Sequence, residues 1–321
     1  MQLILDVGLD WRELTSADIV QFQALIHRIE QADGLPYRTS ESEVNELFAD
    51  NAQMICIGGW KDGSLKAYAF VRVRDSNLNH AMCQGGVDPN YRNQGIGGAI
   101  VSWLTQQARI LLEAQRVPGE AVFVEFYVEM GNHELENHLT NSGYAWTRSF
   151  YDLRANLNQA LPEVEISSLF KIVPWASQTE EAILEVENRV SYEQRQRKAQ
   201  SLQNWLAGRS NFRADWSFVA LDQRADRPIV AGFIMASAYE QDWEVLGWSE
   251  GSIDQIAVLE KYHGDSLAKA LIYATMQAQA EAGMEHTATS LSSTNASGAL
   301  GIYKTLGFET VATAKLFTLT F

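Results

Sequence analysis

Cysteine is nearly missing: only Cys56 and Cys83 occur in a chain of 321 residues. Both lie in apolar stretches, Met54-Ile55-Cys56-Ile57 and Ala81-Met82-Cys83. That is the setting of buried thiols, not of a disulfide framework, and it points to a reducing cytoplasm. Long hydrophobic runs are missing as well. No stretch approaches the ~18 consecutive apolar residues that span a bilayer. The opening Met1-Gln2-Leu3-Ile4-Leu5-Asp6 has neither the basic lead nor the apolar centre of a secretory signal. A cytoplasmic protein without a membrane partner is expected. Positive charge is scarce: 25 Lys and Arg against 40 Asp and Glu give a net charge of −15. This argues against nucleic-acid binding through a globally basic surface, so a site for any polyanion must be a local exception built from backbone amides and a few cations. A zinc-helix spacing is also lacking. His133 and His138 stand five apart, where a zinc helix needs four to bring both onto one face. No Ser/His/Asp nucleophile arrangement and no Gly-Lys-Ser/Thr phosphate loop is visible.

What is present suffices for packed cores: 46% apolar residues and nine tryptophans. The length fits two domains of roughly 150 residues each. Ser16-Ala17-Asp18 can cap a helix whose Ile19, Phe22, Leu25, Ile26 and Ile29 share one face. A second helix is expected over Ser42–Ala49. Asp62-Gly63 between apolar runs reads as a β-hairpin turn. Strands are expected near His80–Val87, Ala121–Val128 and Trp146–Leu153, with a helix over Glu134–Ser142 between the last two. The order then recurs. Ile183, Leu184, Val186 and Val190 parallel the first helix, and Phe218–Leu221 with Ile229–Ile234 parallel the hairpin. Ser252–Val258 parallels the third strand, and Leu306-Gly307-Phe308 echoes Ser142-Gly143-Tyr144. An internal duplication is the simplest account. Its expected units are 1–157 and 166–321, joined through a less periodic stretch that contains Pro162.

One segment organises each half. Val87-Asp88-Pro89-Asn90-Tyr91-Arg92-Asn93-Gln94-Gly95-Ile96-Gly97-Gly98 follows a strand and runs into a helix on which Ile96, Ile100 and Leu104 recur every fourth residue. A helix start carries unpaired N–H groups and the positive end of a dipole. Glycines there clear the approach for an anion such as pyrophosphate. Arg92-Asn93-Gln94-Gly95-Ile96-Gly97 resembles the acyl-CoA loop of the GNAT superfamily of N-acetyltransferases, Arg/Gln-x-x-Gly-x-Gly/Ala. It is not the dinucleotide fingerprint, which needs a third glycine at set spacing. The tandem layout is similar to that of mycothiol synthase-like two-unit acetyltransferases.

The resemblance implies an α/β (α+β) fold of two GNAT units, each a mixed, largely antiparallel sheet flanked by helices, with middle strands splayed around an acyl-pantetheine. It implies acetyl-CoA as co-substrate, bound by Gly86, Val87, Arg92, Asn93, Gln94, Gly95, Ile96, Gly97 and Gly98. The acceptor would be a small-molecule amine that attacks the thioester directly, an amine compatible with the acidic exterior. The halves differ. In the second, His263, Ser266 and Ala268 replace Arg92, Gly95 and Gly97, and Asp265 adds an anion. Only the second half keeps the family's Asn-to-Tyr spacing, Asn295 and Tyr303, ahead of Leu306-Gly307-Phe308. The resemblance makes Tyr303 the acid for the leaving thiolate. In the first half Leu139 takes that place, and Asn132 is one position out of register. Glu125 in the first half, and Glu250 or Asp254 in the second, are candidate bases on strands lining the expected cleft. The loop with its binding function and the tyrosine with its acid function thus fall in different halves, which leaves a non-catalytic acyl-CoA sensor or interaction module as the alternative. The acceptor's identity and the oligomeric state are not legible.

Overall fold

The computed structural model describes residues 7–49, 53–73, 78–114, 119–176, 179–195, 198–224, 226–264 and 266–321. They form two compact units. One comprises residues 1–149 with 314–321, the other residues 150–313. The duplication is visible in both, and unit 1 takes the last strand of its sheet from residues 314–320.

Unit 1 runs β1 (Asp10–Glu13), α1 (Ile19–Ala32), α2 (Glu41–Ala49), β2 (Gln53–Lys61), β3 (Ser64–Val73), β4 (His80–Val87), α3 (Ile96–Glu113), β5 (Phe123–Glu129) and α4 (His133–Asn141). Its sheet order is β1-β2-β3-β4-β5, and residues 314–320 close it beside β5. Pairing is antiparallel throughout except between β4 and β5. The β2–β3 hairpin turns at Asp62 and Gly63, both with positive φ (51° and 72°), the geometry that matches strand twist. Alternation along β3 splits two cores. Ala69, Val71 and Val73 pack with Ile96, Ile100 and Leu104 of α3, while Tyr68 and Phe70 pack with Phe22 and Leu25 of α1. Cys56 and Cys83 are free and buried; burial pushes the Cys56 thiol up to about 12.

Unit 2 contains residues 150–156 of β6 (Ala145–Asn156), then β7 (Phe170–Pro174), α5 (Glu180–Arg195), α6 (Leu202–Leu206), β8 (Phe218–Asp222), β9 (Ile229–Ser237), α7 (Trp243–Leu246), β10 (Glu250–Val258), α8 (Leu267–Glu281), β11 (His286–Ser292) and α9 (Ala296–Thr305). The final strand, β12 (Glu309–Thr320), supplies unit 1 from Ala314 onward. The sheet order in unit 2 is β7-β8-β9-β10-β11-β6, and only β10–β11 is parallel. Its main core joins Ile183 and Val190 of α5 to Phe233, Ile253, Leu271 and Met276, and a smaller cluster gathers Trp216, Ala236 and Ala238. Strands β7 and β12 were not among the sequence expectations. No described helix is long and apolar enough to cross a membrane.

Asp18 fixes the entry to α1. Its carboxylate accepts from Arg12 Nη1 and Nη2 at 2.9 and 2.7 Å and from the Thr15 N–H at 3.0 Å. The Arg12 hydrogen bonds hold its pKa down to about 2. A carboxyl depressed in the folded state stabilises above its unfolded value, near 4, and that contribution is lost as pH falls through the folded value. We expect Asp18→Asn to melt below wild type at neutral pH, with the gap closing between pH ~4 and ~2 in thermal scans. A gap unchanged at the acid end would contradict this account.

Candidate active site

Strands β4 and β5 pair only from His80–Phe123 to Cys83–Phe126. Beyond that point both continue, to Val87 and Glu129, without pairing to each other. The register fixes what faces the gap. Asp88 N–H donates to Lys66 O at 2.7 Å, and bonded and non-bonded pairs alternate along an antiparallel ladder. Gly86 therefore exchanges hydrogen bonds with Tyr68, while Gly85 and Val87 aim their amides away from β3 and toward the gap. The expected contribution of Gly86 shifts accordingly. It and Gly85 leave room for packing: a Cβ on Gly85 would lie 2.6 Å from Ile100, and one on Gly86 2.6 Å from the Tyr68 ring. Gly85 was not among the expected site residues.

The loop after β4 ends in α3, whose first intrahelical acceptor is Gly95 O, reached by Ala99 N–H at 3.2 Å. The N–H groups of Ile96, Gly97 and Gly98 precede that bond, as at any helix start. Gly95 has φ 79°, and nothing lies within 4 Å of a Cβ built on it or on Gly97. Asn93 also takes a positive φ, 62°, which asparagine tolerates. These residues fit a pyrophosphate by leaving open space over free donors. Arg92 does not stand free: it pairs with Asp33 at 2.6 and 3.0 Å, and its Nε lies 3.4 Å from Val87 O. Lys61 and Lys66 lie over the Tyr91 ring at 5.8 and 5.3 Å, so cations do gather at this loop.

Unit 2 repeats the geometry with altered side chains. Strands β10 and β11 pair from Glu250–His286 to Ile253–Thr289 and then part. Leu259 N–H donates to Ala231 O at 3.0 Å, so by the same alternation Ile256 and Val258 present their amides to the gap. His263 Nε2 lies 3.1 Å from Val258 O, as Arg92 does from Val87 O. Ser266 keeps the left-handed conformation of Gly95, with φ 59°, at a cost of about 1 kcal/mol for a residue with a Cβ. Asp265 lies outside the described residues.

One difference between the units is an inserted residue. Five positions separate Ile253 from Val258, and four separate Cys83 from Val87. The β3–β4 ladder is continuous, whereas β9–β10 shifts register between Ile253 and Gln255. The extra residue is Asp254. A bulge turns its residue off the ladder and re-aims the side chain. Asp254 is exposed, yet protein surrounds its carboxylate: Ser237 donates to Oδ2 and Ser252 donates to Oδ1 at 2.9 Å. This crowding raises the carboxyl above its usual range against the pull of those hydroxyls.

Tyr303, 4% exposed, packs edge-on against Phe308. Burial raises its phenol, and its side-chain hydrogen-bond partner is Thr289. Thr289, the last residue of β11 to pair with β10, donates to Ile253 O at 2.9 Å. Tyr303 and Asp254 thus both lie where β10 and β11 part, on opposite faces of the sheet, since Asp254 bonds Ser252 and Tyr303 bonds Thr289, and Ser252 and Ile253 alternate across it. The other candidate bases lie elsewhere. Glu125, buried, sits opposite Met82 in the paired segment, 3.0 Å from His80 Nδ1. Glu250 begins β10 and is held by Arg154 and Trp248. Leu139 is fully buried where unit 1 would need its acid, and Asn132 caps α4 by accepting from Leu135 N–H at 3.1 Å. The side chain of Asn295 lies outside the described residues. Among the described residues no group of His, Cys, Asp and Glu could hold a metal ion.

A model of the Acetyltransferase (GNAT) family matches residues 21–131, inside unit 1, and one of the Acetyltransferase (GNAT) domain matches residues 214–310, inside unit 2. The chain is a tandem member of the GNAT superfamily. Among solved structures, a GCN5-related N-acetyltransferase from Sphaerobacter thermophilus is 19% identical, with 97% of this chain and 95% of that one covered and a TM-score of 0.73. A tandem GNAT protein from the clavulanic acid biosynthesis pathway is 13% identical over 98% of both chains, with a TM-score of 0.70. A glucosamine N-acetyltransferase region of a fungal multi-domain GH3 β-N-acetylglucosaminidase is 11% identical, covering 99% of this chain and 39% of that one, with a TM-score of 0.70. At these identities the likeness is one of fold. No curated protein matches the sequence. The GNAT fold is one that carries acyl transfer, and this chain holds two copies.

Relieving the strain at Ser266 should stabilise the tandem GNAT chain. Ser266→Gly is expected to gain about 0.5–1 kcal/mol, a rise of roughly 2 °C in the melting transition read by differential scanning calorimetry. A lower transition would show that the serine hydroxyl offsets its own backbone strain.

Proposed function

We propose that the protein transfers acetyl from acetyl-CoA to the amine of a small molecule, the open loop of unit 1 holding one CoA and the transfer running in unit 2 on a second, held by the amides of Leu267, Ala268 and Lys269, with Asp254 as base and Tyr303 as acid. One observation carries the reading. In each unit two parallel strands part beside a helix start, so that strand amides and helix amides converge on one opening. Val87 and Gly85, or Val258 and Ile256, would polarise the thioester carbonyl as oxyanion donors. The N–H groups of Ile96, Gly97 and Gly98 would face pyrophosphate.

The face assignments support direct transfer. Asp254 takes the amine proton on one face as the C–N bond forms. Tyr303 gives its proton to the thiolate on the other as the C–S bond breaks. Asp254 then loses its proton to water, and Tyr303 regains one. The raised carboxyl favours Asp254 as a base over an ordinary surface aspartate, because its basicity moves toward neutral pH. The raised phenol stays protonated until the thiolate leaves.

A second reading is a non-catalytic acyl-CoA sensor, and one observation favours it. Unit 1, with the open glycine loop, has buried Leu139 in the acid's place and a candidate base, Glu125, tied to His80. Calorimetric titration with acetyl-CoA, paired with thiol release over a panel of amines, separates the two. Binding without turnover on any amine selects the sensor.

Gly97→Asp puts an anion into open space at a helix start that tolerates it. It is expected to melt like wild type and to bind acetyl-CoA at the unit 1 loop at least roughly tenfold more weakly, leaving a single site in the titration. Undiminished affinity would move the CoA site out of unit 1. Asp254→Asn and Tyr303→Phe are each expected to lower kcat by about a hundredfold in stopped thiol-release assays, with acetyl-CoA affinity unchanged. Full turnover in either variant removes that residue from the mechanism.

A further inference from the structure

Asp254 lies on the one residue of β10 that the ladder does not hold. Its β9 partner is missing by construction, since Ile253 pairs with Ala236 and Gln255 with Met235. A bulge residue left to itself would sample several side-chain directions, which a base acting at one point in a cleft cannot do. The pair just before the bulge removes that freedom. Ser252 and Ser237 stand opposite each other across β10 and β9. Ser237 Oγ donates to Asp254 Oδ2 and Ser252 Oγ donates to Oδ1 at 2.9 Å. Tyr239, just past β9, adds a third side-chain hydrogen bond. Each carboxylate oxygen accepts about two hydrogen bonds, so these three leave acceptor capacity for one more partner. Ser237 is only 4% exposed, so its hydroxyl serves the protein interior and not solvent.

We propose that Ser237 and Ser252 are positioning residues, a two-hydroxyl clamp that fixes the direction of the Asp254 carboxylate at the point where β10 and β11 part, for proton transfer from the acceptor amine. The inference rests on reading Asp254 as the base. The charged and titratable groups around it are few. Tyr239 approaches from the end of β9. Glu250, on the same strand and face, is tied to Arg154 of β6. Asp152 of β6 pairs with Ser290, the uncharged residue of β11 beyond the parting point. None of the ion pairs among the described residues includes Asp254.

The hydroxyls donate to the charged carboxylate and so favour ionisation; removing one must raise the carboxyl further. In the full-length protein with ¹³C-labelled aspartate, the Asp254 resonance, assigned by its loss in Asp254→Asn, should titrate on the order of one pH unit higher in Ser237→Ala. The acid limb of kcat/KM, measured with acetyl-CoA and the best acceptor from a panel of amino acids, amino sugars and diamines, should move up with it. The KM for acetyl-CoA should stay fixed, and Ser237→Thr, which keeps the hydroxyl, should restore both curves. A titration and a profile in Ser237→Ala that coincide with wild type overturn the clamp. Full activity of Asp254→Asn overturns the base assignment, and the positioning role with it, whatever the titration shows.

Discussion

Parallel strands that stop pairing midway leave backbone donors facing one another across a gap, and a donor left unsatisfied away from water costs about 1–3 kcal/mol. The fold can keep such a gap only where water or a ligand supplies acceptors. In unit 1 that edge is Gly85 and Val87, beyond the last parallel pair at Cys83 and Phe126. In unit 2 it is Ile256 and Val258, beyond Ile253 and Thr289. The surrounding residues are arranged to hold the gap open without losing the core. Gly85 and Gly86 let Ile100 of α3 and the Tyr68 ring close in from opposite faces of the same strand. The helix starts at Ile96 and Leu267 then bring further amides to the same end of the sheet.

The two units show which parts of this plan tolerate change. Backbone geometry is kept where side chains are not: Arg92 and His263 both reach back to the last carbonyl of the preceding strand, and Gly95 and Ser266 both sit in the left-handed region. Charge changes freely. The Arg92 guanidinium, the natural partner for a phosphate, is shared with Asp33 at the end of α1, so its pull on an anion is tempered in a chain already strongly acidic. What the loop offers without competition is its amides.

The expected elements rested on period and punctuation, and those features survived folding. Ile96, Ile100 and Leu104 are all buried, because a four-residue spacing keeps side chains on one helical face. Asp62-Gly63 formed the hairpin turn that its composition demands. The strand Glu309–Thr320 escaped notice because threonines and Lys315 blur its alternation; its partner β5 lies far away in sequence. The bulge at Asp254 was illegible for a deeper reason. One inserted residue leaves no periodic trace, and its meaning appears only once Ile253 and Gln255 are seen to pair with consecutive residues of β9. Likewise, Glu125, Glu250 and Asp254 looked alike as carboxylates on strands. Only the point where strands part separates them, and that point is set by hydrogen bonds across chains of residues distant in sequence.

The strain at Ser266 bears on what unit 2 can hold. A serine in the left-handed region costs about 1 kcal/mol that glycine would avoid, and a connection between β10 and α8 with no further duty could relax to a turn without it. The loop has instead kept the shape that sets the N–H groups of Leu267, Ala268 and Lys269 ahead of the first intrahelical bond, from Ala270 to Ser266 O at 2.9 Å. Those amides need no side chain to attract an anion. The replacement of arginine and glycine therefore weakens the case for phosphate binding through charge and leaves the case through backbone standing. The same unit supplies the bulge carboxylate and the buried phenol. Acceptor chemistry needs a carbonyl polarised between just such groups, so transfer in unit 2 depends on Ile256 and Val258 facing the gap, and on Asp254 and Tyr303 lying on opposite faces of the sheet where the strands part.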